Sequence, residues 1–467
     1  MINITIDIEK VKKLREKFDK NLSTYQKMDN YYNGKTDIFS TYKTSKIGLN
    51  RKVNVNFIKK MVDEEVSFAI GNPISYVPSL TIEEIIEGKN VQDSVIESNL
   101  INLVMKENVN ADSVLATNML KFGEAYEHYY WKDGKFKIKE YDPTSIIAER
   151  DEENEVISAL RVFKINDTEY MDYFTDTDVT RLDSEYNTVE ATPHFFGFCP
   201  ISYGTQIGGS NNTIFNDIKS LQDAIEGIMS DLSNEIGDSR LSYLILKNMT
   251  IPDELKEKFT NKETGAVDLD GIMQFLLQGL RDNAILNINS EDGNKNVGIE
   301  YLIKNVNADM HINALNTLID LIYQISQHIN FNQQQSSNTS GVALQTRIIA
   351  LRNKVKMQQN CLTKVIKKRI KAIITMMVKN YNNKDLDADK VGIVYNINVP
   401  SDNAAIADIM TKLCTPGYLS AEEGLAQLSF ITNPKSSYEK AQEEFNSRIK
   451  NEANAKETIP GDLDEDI

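Results

Sequence analysis

Gln333-Gln334-Gln335-Ser336-Ser337-Asn338-Thr339-Ser340-Gly341 leads into residues 342–380, which contain no proline, glycine or acidic residue. That segment carries Arg347, Arg352, Lys354, Lys356, Lys364, Lys367, Lys368, Arg369, Lys371 and Lys379. Ile366, Ile370, Ile373, Ile374 and Met377 recur among the later lysines, so the segment is read as one long, packed helix. If straight it would span roughly 58 Å, and a kink is expected over such a length. The chain has a formal net charge of −16. A purely basic helix within it needs a special neighbour: nucleic acid, an acidic face of the same protein, or an acidic partner subunit.

Upstream, Ile214, Ile218, Leu221, Ile225, Ile228, Leu232 and Ile236 step by threes and fours and predict a helix. Its other faces carry Asp217, Asp223, Glu226, Asp231, Glu235 and Asp238 against Lys219. Ile312, Leu315, Ile319, Ile322, Ile325 and Ile329 predict a second helix. Between them, residues 241–304 read as a small mixed insert, with strands at 241–246, 284–288 and 298–303 and a turn at 261–265. Two helices flanking one insert have the layout of a hairpin stalk with a cap at its tip.

Nearer the N-terminus, residues 8–33 and 53–70 read as helices, the latter stopped by Gly71-Asn72-Pro73. A helix pair is expected over 92–121. Strand signals dominate from Ala125 to Val189, with a hairpin turn at Lys132-Asp133-Gly134-Lys135 and a tip at 151–155. Residues 391–399 read as a strand. Residues 403–454 read as helices punctuated by Pro416-Gly417 and Asn433-Pro434, and 461–467 as an acidic tail. The fold class expected is α+β, mainly helical, and 467 residues suggest two to four structural units.

Composition and motifs exclude much chemistry. No apolar run is long enough to span a membrane. Met1-Ile2-Asn3-Ile4-Thr5-Ile6-Asp7 lacks the regions of a signal peptide, so a cytosolic compartment is expected. Cys199, Cys361 and Cys414 form no CxxC, and His128, His194, His311 and His328 share no metal spacing. There is no Walker-type phosphate loop and no GxSxG elbow. The pairs Asp176/Asp178 and Asp268/Asp270 are the residue type that holds Mg²⁺ in nucleases. Neither has a second acidic cluster or a lysine at motif spacing, so turns and solvated loop edges are the plainer reading.

Several segments, in order, carry a family resemblance. They are Tyr31-Tyr32-Asn33-Gly34, Asn50-Arg51-Lys52-Val53-Asn54-Val55-Asn56-Phe57-Ile58, Gly71-Asn72-Pro73-Ile74, Phe122-Gly123-Glu124-Ala125-Tyr126 and Tyr141-Asp142-Pro143. Gly197-Phe198-Cys199-Pro200-Ile201, Thr339-Ser340-Gly341-Val342-Ala343-Leu344 and Tyr418-Leu419-Ser420-Ala421-Glu422-Glu423 continue the series. The chain thereby resembles the portal proteins of tailed double-stranded DNA phages, of the type found in siphoviruses of Gram-positive hosts. Relatives usually place an acidic residue or two just after the entry of the polar loop, and here that loop is amide-rich.

The resemblance implies a portal fold assembled as a ring of about a dozen copies around a central channel at one capsid vertex. It implies a wing at 1–210, stem helices at 211–238 and 307–329, and a clip at 239–306. Residues 330–395 would hold the tunnel loop, the long basic helix and the return to the wing, and 396–467 the crown helices and acidic tail. Double-stranded DNA would pass through the channel during packaging and ejection. The partners implied are the large terminase motor, the head-tail connector, and the major capsid and scaffolding proteins. The location implied is the virion, with assembly in the host cytoplasm. No cofactor, membrane or enzymatic activity is implied.

On this reading Asn332, Gln333, Gln334, Gln335, Ser336, Ser337, Asn338 and Thr339 form a DNA-facing tunnel loop. Their amides and hydroxyls can exchange phosphate contacts rapidly. Asp217, Asp223, Glu226, Asp231 and Glu235 line the channel and repel phosphate, or simply face solvent. Lys364, Lys367, Lys368, Arg369 and Lys371 meet acids of an adjacent subunit, or face DNA. The alternatives are a metal-dependent nucleic-acid enzyme using Asp268/Asp270, or another ring-forming virion protein without DNA passage.

Overall fold

The computed structural model describes residues 6–43, 50–89, 95–238, 243–247, 251, 253–261, 264–272, 274–275, 278, 298–302, 308–330, 341–381, 386–397, 403–425, 428 and 434–457. The architecture mixes helix and sheet with helices in the majority, in keeping with the α+β expectation. The chain divides into two compact units. The first holds residues 1–26, 60–213 and 327–467, and the second 27–59 and 214–326.

In the first unit, β1 (Ser75–Pro78) pairs antiparallel with β12 (Val391–Val394). β2 (Glu124–Lys132), β3 (Lys135–Tyr141) and β9 (Ile201–Thr205) form a sheet of order β3-β2-β9. The β2–β3 turn is the one the sequence predicts. Asp133 and Gly134 both take positive φ (53° and 73°), as a two-residue hairpin requires. β4 (Ile146–Arg150), β5 (Val156–Ile165), β6 (Thr168–Phe174), β7 (Asp178–Asp183) and β8 (Thr188–Pro193) form an antiparallel meander in chain order. Its β5–β6 turn uses Asn166 and Asp167, again both at positive φ. Asn and Asp tolerate that region better than other side chains, because their short polar groups bond locally.

Two apolar clusters anchor the sheets. Tyr126, Ile146, Val156, Ala159, Phe174, Cys199 and Ile201 make one. Val11 and Leu14 of the helix Ile8–Tyr32 make the other with Leu160, Met171, Tyr173 and Leu182. The long helix Gly341–Tyr381 packs against β9 and β2. Gly204 on β9 permits the approach, since a Cβ there would lie 2.4 Å from Val365 Cγ2. Gly123, which ends the helix Ala111–Phe122 at φ 79°, is needed twice over. Its Cβ would fall 2.3 Å from the Gly209 carbonyl oxygen.

The second unit holds the helices Ile214–Asp238 and Ala308–Ile325, packed on each other, and the hairpin of β10 (Tyr243–Lys247) with β11 (Gly298–Leu302). The insert also contains a short helix, Asp253–Lys258, absent from the sequence reading. The strand expected at 284–288 lies outside the described residues.

Three boundaries differ from expectation. The helix expected over 53–70 begins at Phe57, because side chains far along the chain bind the backbone of 51–55 in extended form. The helix expected to reach Ile329 ends at Ile325, with Gln327 left-handed at φ 60°. The strand expected over 391–399 stops at Val394 with the end of its pairing to β1.

Candidate functional site

Within the second unit, the helix Ile214–Asp238 carries a buried polar row at four-residue spacing. Gln222, Glu226, Ser230 and Asn234 are all buried. They meet the segment 51–58 in antiparallel order. The Arg51 N–H donates to Asn234 Oδ1 (2.8 Å), Val53 N–H to Ser230 Oγ (2.9 Å), Val55 N–H to Glu226 Oε1 (3.3 Å) and Ile58 N–H to Gln222 Oε1 (3.0 Å). Four helical residues rise about 6 Å and two extended residues about 6.6 Å, so the repeats nearly match from Arg51 to Val55, and Ile58 follows three residues on, at the start of the next helix. The row satisfies backbone donors that no strand partner serves.

Glu226 also accepts from the Thr36 hydroxyl (2.6 Å), the Asn54 amide (3.2 Å) and the Gln222 amide (3.3 Å). Burial pushes its carboxyl above the ordinary carboxylate range, against the pull of Thr36 and the Val55 amide. A carboxyl whose folded pKa is raised holds its proton more tightly folded than unfolded. That contribution to stability is full below the unfolded pKa, near 4.5, and is lost as pH rises through the raised folded value. Glu226→Gln keeps an acceptor and removes the charge. Native protein is therefore expected to lose stability relative to the variant as pH rises above the ordinary carboxyl range. Urea unfolding at a series of pH values checks this, and parallel curves would clear Glu226 as the source.

The remaining predicted channel acids fare differently. Asp223 accepts from the Tyr31 hydroxyl (2.8 Å) and pairs with Lys219. Asp231 accepts from the Tyr42 hydroxyl (2.6 Å) and stays exposed. Glu235 lies 3.3 Å from His311 Nε2, and Asp217 is exposed. Of the five, Glu226 alone is fully buried. The helix pair leaves an apolar face open: Ile236 is 51% exposed, Met310 67%, Leu321 37% and Ile325 47%.

On the long basic helix, Arg369 is fully buried. Its guanidinium pairs with Glu127 of β2 and with Asp112, donates from Nε to Glu127 Oε2 (3.1 Å), and donates to the Tyr76 hydroxyl of β1 (3.2 Å). Tyr129 donates to Glu127 Oε2 (3.0 Å). Burial sets the Glu127 carboxyl above its usual range, and the Arg369 charge draws it back. Lys368 pairs with Glu155 at 2.5 Å and lies 4.7 Å from the Phe198 ring centre. Lys354 pairs with Glu65 at 3.0 Å. The acidic neighbour of this helix is thus, for these three residues, the same chain. Full burial against its own chain leaves Arg369 no surface for a second subunit. Lys364, Lys367 and Lys371 remain exposed.

The predicted tunnel loop, Asn332 to Thr339, lies outside the described residues. Asp178 accepts from the hydroxyls of Thr175, Thr177 and Thr180, and Asp268 accepts the Gly271 N–H. Asp178 is buried at the start of β7, and Asp268 receives a backbone donor three residues on. Among the described residues no group of three or more His, Cys, Asp or Glu is placed to hold a metal, and no helix is long and apolar enough to cross a membrane.

The chain matches a family of phage structural proteins. The match is with the family described as phage portal protein, SPP1 Gp6-like; it spans residues 11–451 of the chain, which belongs to that family. Its role is that of a phage portal in the virion, and the nuclease reading is not favoured. No individual curated protein matches the chain.

Proposed function

We propose that about a dozen copies close into a ring whose channel conducts double-stranded DNA into the capsid during packaging and out during ejection. The open apolar face of the helix pair carries this reading. A protomer that leaves Leu321 and Ile325 in water has an unfilled junction, and a neighbouring copy fills it. The helix Ile214–Asp238 and its partner act as the stem, 239–306 as the clip, 1–210 and part of 330–395 as the wing, and 396–467 as the crown. Asp217 and Asp231, both exposed, give the wall a negative character that keeps phosphate from sticking. Mutual repulsion across a hydrated channel is screened beyond ~8 Å at physiological salt. The clip docks the packaging motor, a separate ATPase, and later the head-tail connector.

Electron microscopy of the purified protein tests the reading directly. Averages viewed down the axis are expected to show rings around an open channel. A channel narrower than duplex DNA would remove the conduit, and a monomer at high concentration would remove the ring. Deleting Gln333 to Ser337 is expected to leave rings intact and to depress DNA packaging severely. Loss of rings in that variant would make the segment an assembly element instead.

A further inference from the structure

The first unit holds a cavity of about 710 Å³, lined by β2 and β3 on one side, β5 to β8 on another, and Met376, Lys379 and Asn380 of the long helix. That volume suits a small molecule or a few peptide side chains. Its floor is aromatic. The His128 ring stacks on Tyr130 (5.2 Å between centres) and Tyr141 (6.0 Å), with Phe174 edge-on at 4.8 Å. Burial, then the nearby Arg161 charge, push His128 down to about 3, so its ring is neutral at neutral pH.

The walls are cationic. Arg161 lies 4.7 Å over the Tyr141 ring, and Lys379 lies 4.2 Å over Phe195. Asp172 is shared between Arg161 (3.3 Å) and Arg181 (2.8 Å). The buried Nε of Arg161 has no hydrogen-bond partner among the described residues. Lys139 also lines the space. Four cations thus face two carboxylates, Asp172 and Glu190, and the first of these already serves both guanidiniums.

The same chain supplies a segment of opposite character. After the helix Pro434–Glu457, residues 458–467 lie outside the described residues and bear Asp462, Asp464, Glu465 and Asp466 interleaved with Leu463 and Ile467. We propose that the cavity is the docking site for this acidic segment, from the same chain or a neighbouring copy. Leu463 or Ile467 lies against the His128–Tyr130–Tyr141 surface, and the carboxylates meet Lys139, Lys379 and Arg161. Charge and apolar complementarity support the pairing: one surface offers cations around aromatic rings, the other carboxylates around aliphatic side chains. The proposal stands without the ring.

A photo-reactive benzophenone side chain placed at position 463 of the full chain tests it. After irradiation and digestion, cross-links are expected on peptides spanning residues 128–141, 161–196 and 376–380. The exposed pair Lys139→Glu with Lys379→Glu is expected to lower their yield roughly tenfold, because two attractions become repulsions. Lys17→Glu with Lys20→Glu, the same charge change on exposed positions away from the cavity, is expected to leave the yield unchanged. Cross-links confined to other surfaces, their absence, or an equal fall in both variants would each overturn the docking site.

Discussion

Arg369→Ala is expected to destabilise the first unit by about 3–5 kcal/mol, the range for removing one member of a buried ion pair. The side chain is fully enclosed, and so is Glu127. Truncation leaves Glu127 and Asp112 facing each other with no cation between them, and the Tyr76 hydroxyl oxygen loses a donor. Arg369→Lys is expected to recover only part of the loss, since an ammonium cannot span Glu127, Asp112 and Tyr76 together. Lys367→Ala, exposed on the same helix, is expected to change stability by less than about 0.5 kcal/mol. Replacing Arg369, Glu127 and Asp112 together by apolar residues is expected to cost less than Arg369→Ala alone. Denaturant unfolding of the four variants decides the matter. Equal midpoints for Arg369→Ala and Lys367→Ala would show that the cluster contributes nothing net.

That cluster shows which information a sequence carries and which it hides. Charge counting grouped Arg369 with Lys364, Lys367, Lys368 and Lys371. Helical phase separates it, because Val365, Ile366, Ala372 and Ile373, three and four residues away on either side, are all buried. The polar row of Gln222, Glu226, Ser230 and Asn234 was legible in the same way, as a second four-residue repeat beside the apolar one. Read only as net acidity, it put Glu226 on an open face. The Asp133-Gly134 hairpin was legible because its geometry is local. The extended run before Phe57 was not, because the side chains that hold it lie 171 to 183 residues away. The cavity drew residues from six strands and a helix, and no spacing in the chain announces it.

Leu321→Glu combined with Ile325→Glu is expected to abolish ring formation while leaving the protomer folded. Met310, Leu321 and Ile325 fall on one face of the helix Ala308–Ile325, and all three are exposed in the protomer. Met310, Leu321 and Ile325 are 67%, 37% and 47% exposed, so burying the remainder of each at a junction is worth about 0.5–2 kcal/mol, and a closed ring repeats that junction at every subunit. A carboxylate there reverses the sign, since an unpaired charge in an apolar contact costs several kcal/mol. Because both side chains are only partly covered within the protomer, far-ultraviolet circular dichroism is expected to match the native protein. Sedimentation velocity is expected to give rings for native protein and slow, protomer-sized species for the variant. Asn316→Glu, an exposed position turned away from that face, is expected to keep its rings. Rings retained by the double variant would move the junction off this helix. They would also leave Asp217 and Asp231 without the wall position proposed for them, because the apolar contact between copies is what would turn the acidic face of the pair toward a channel.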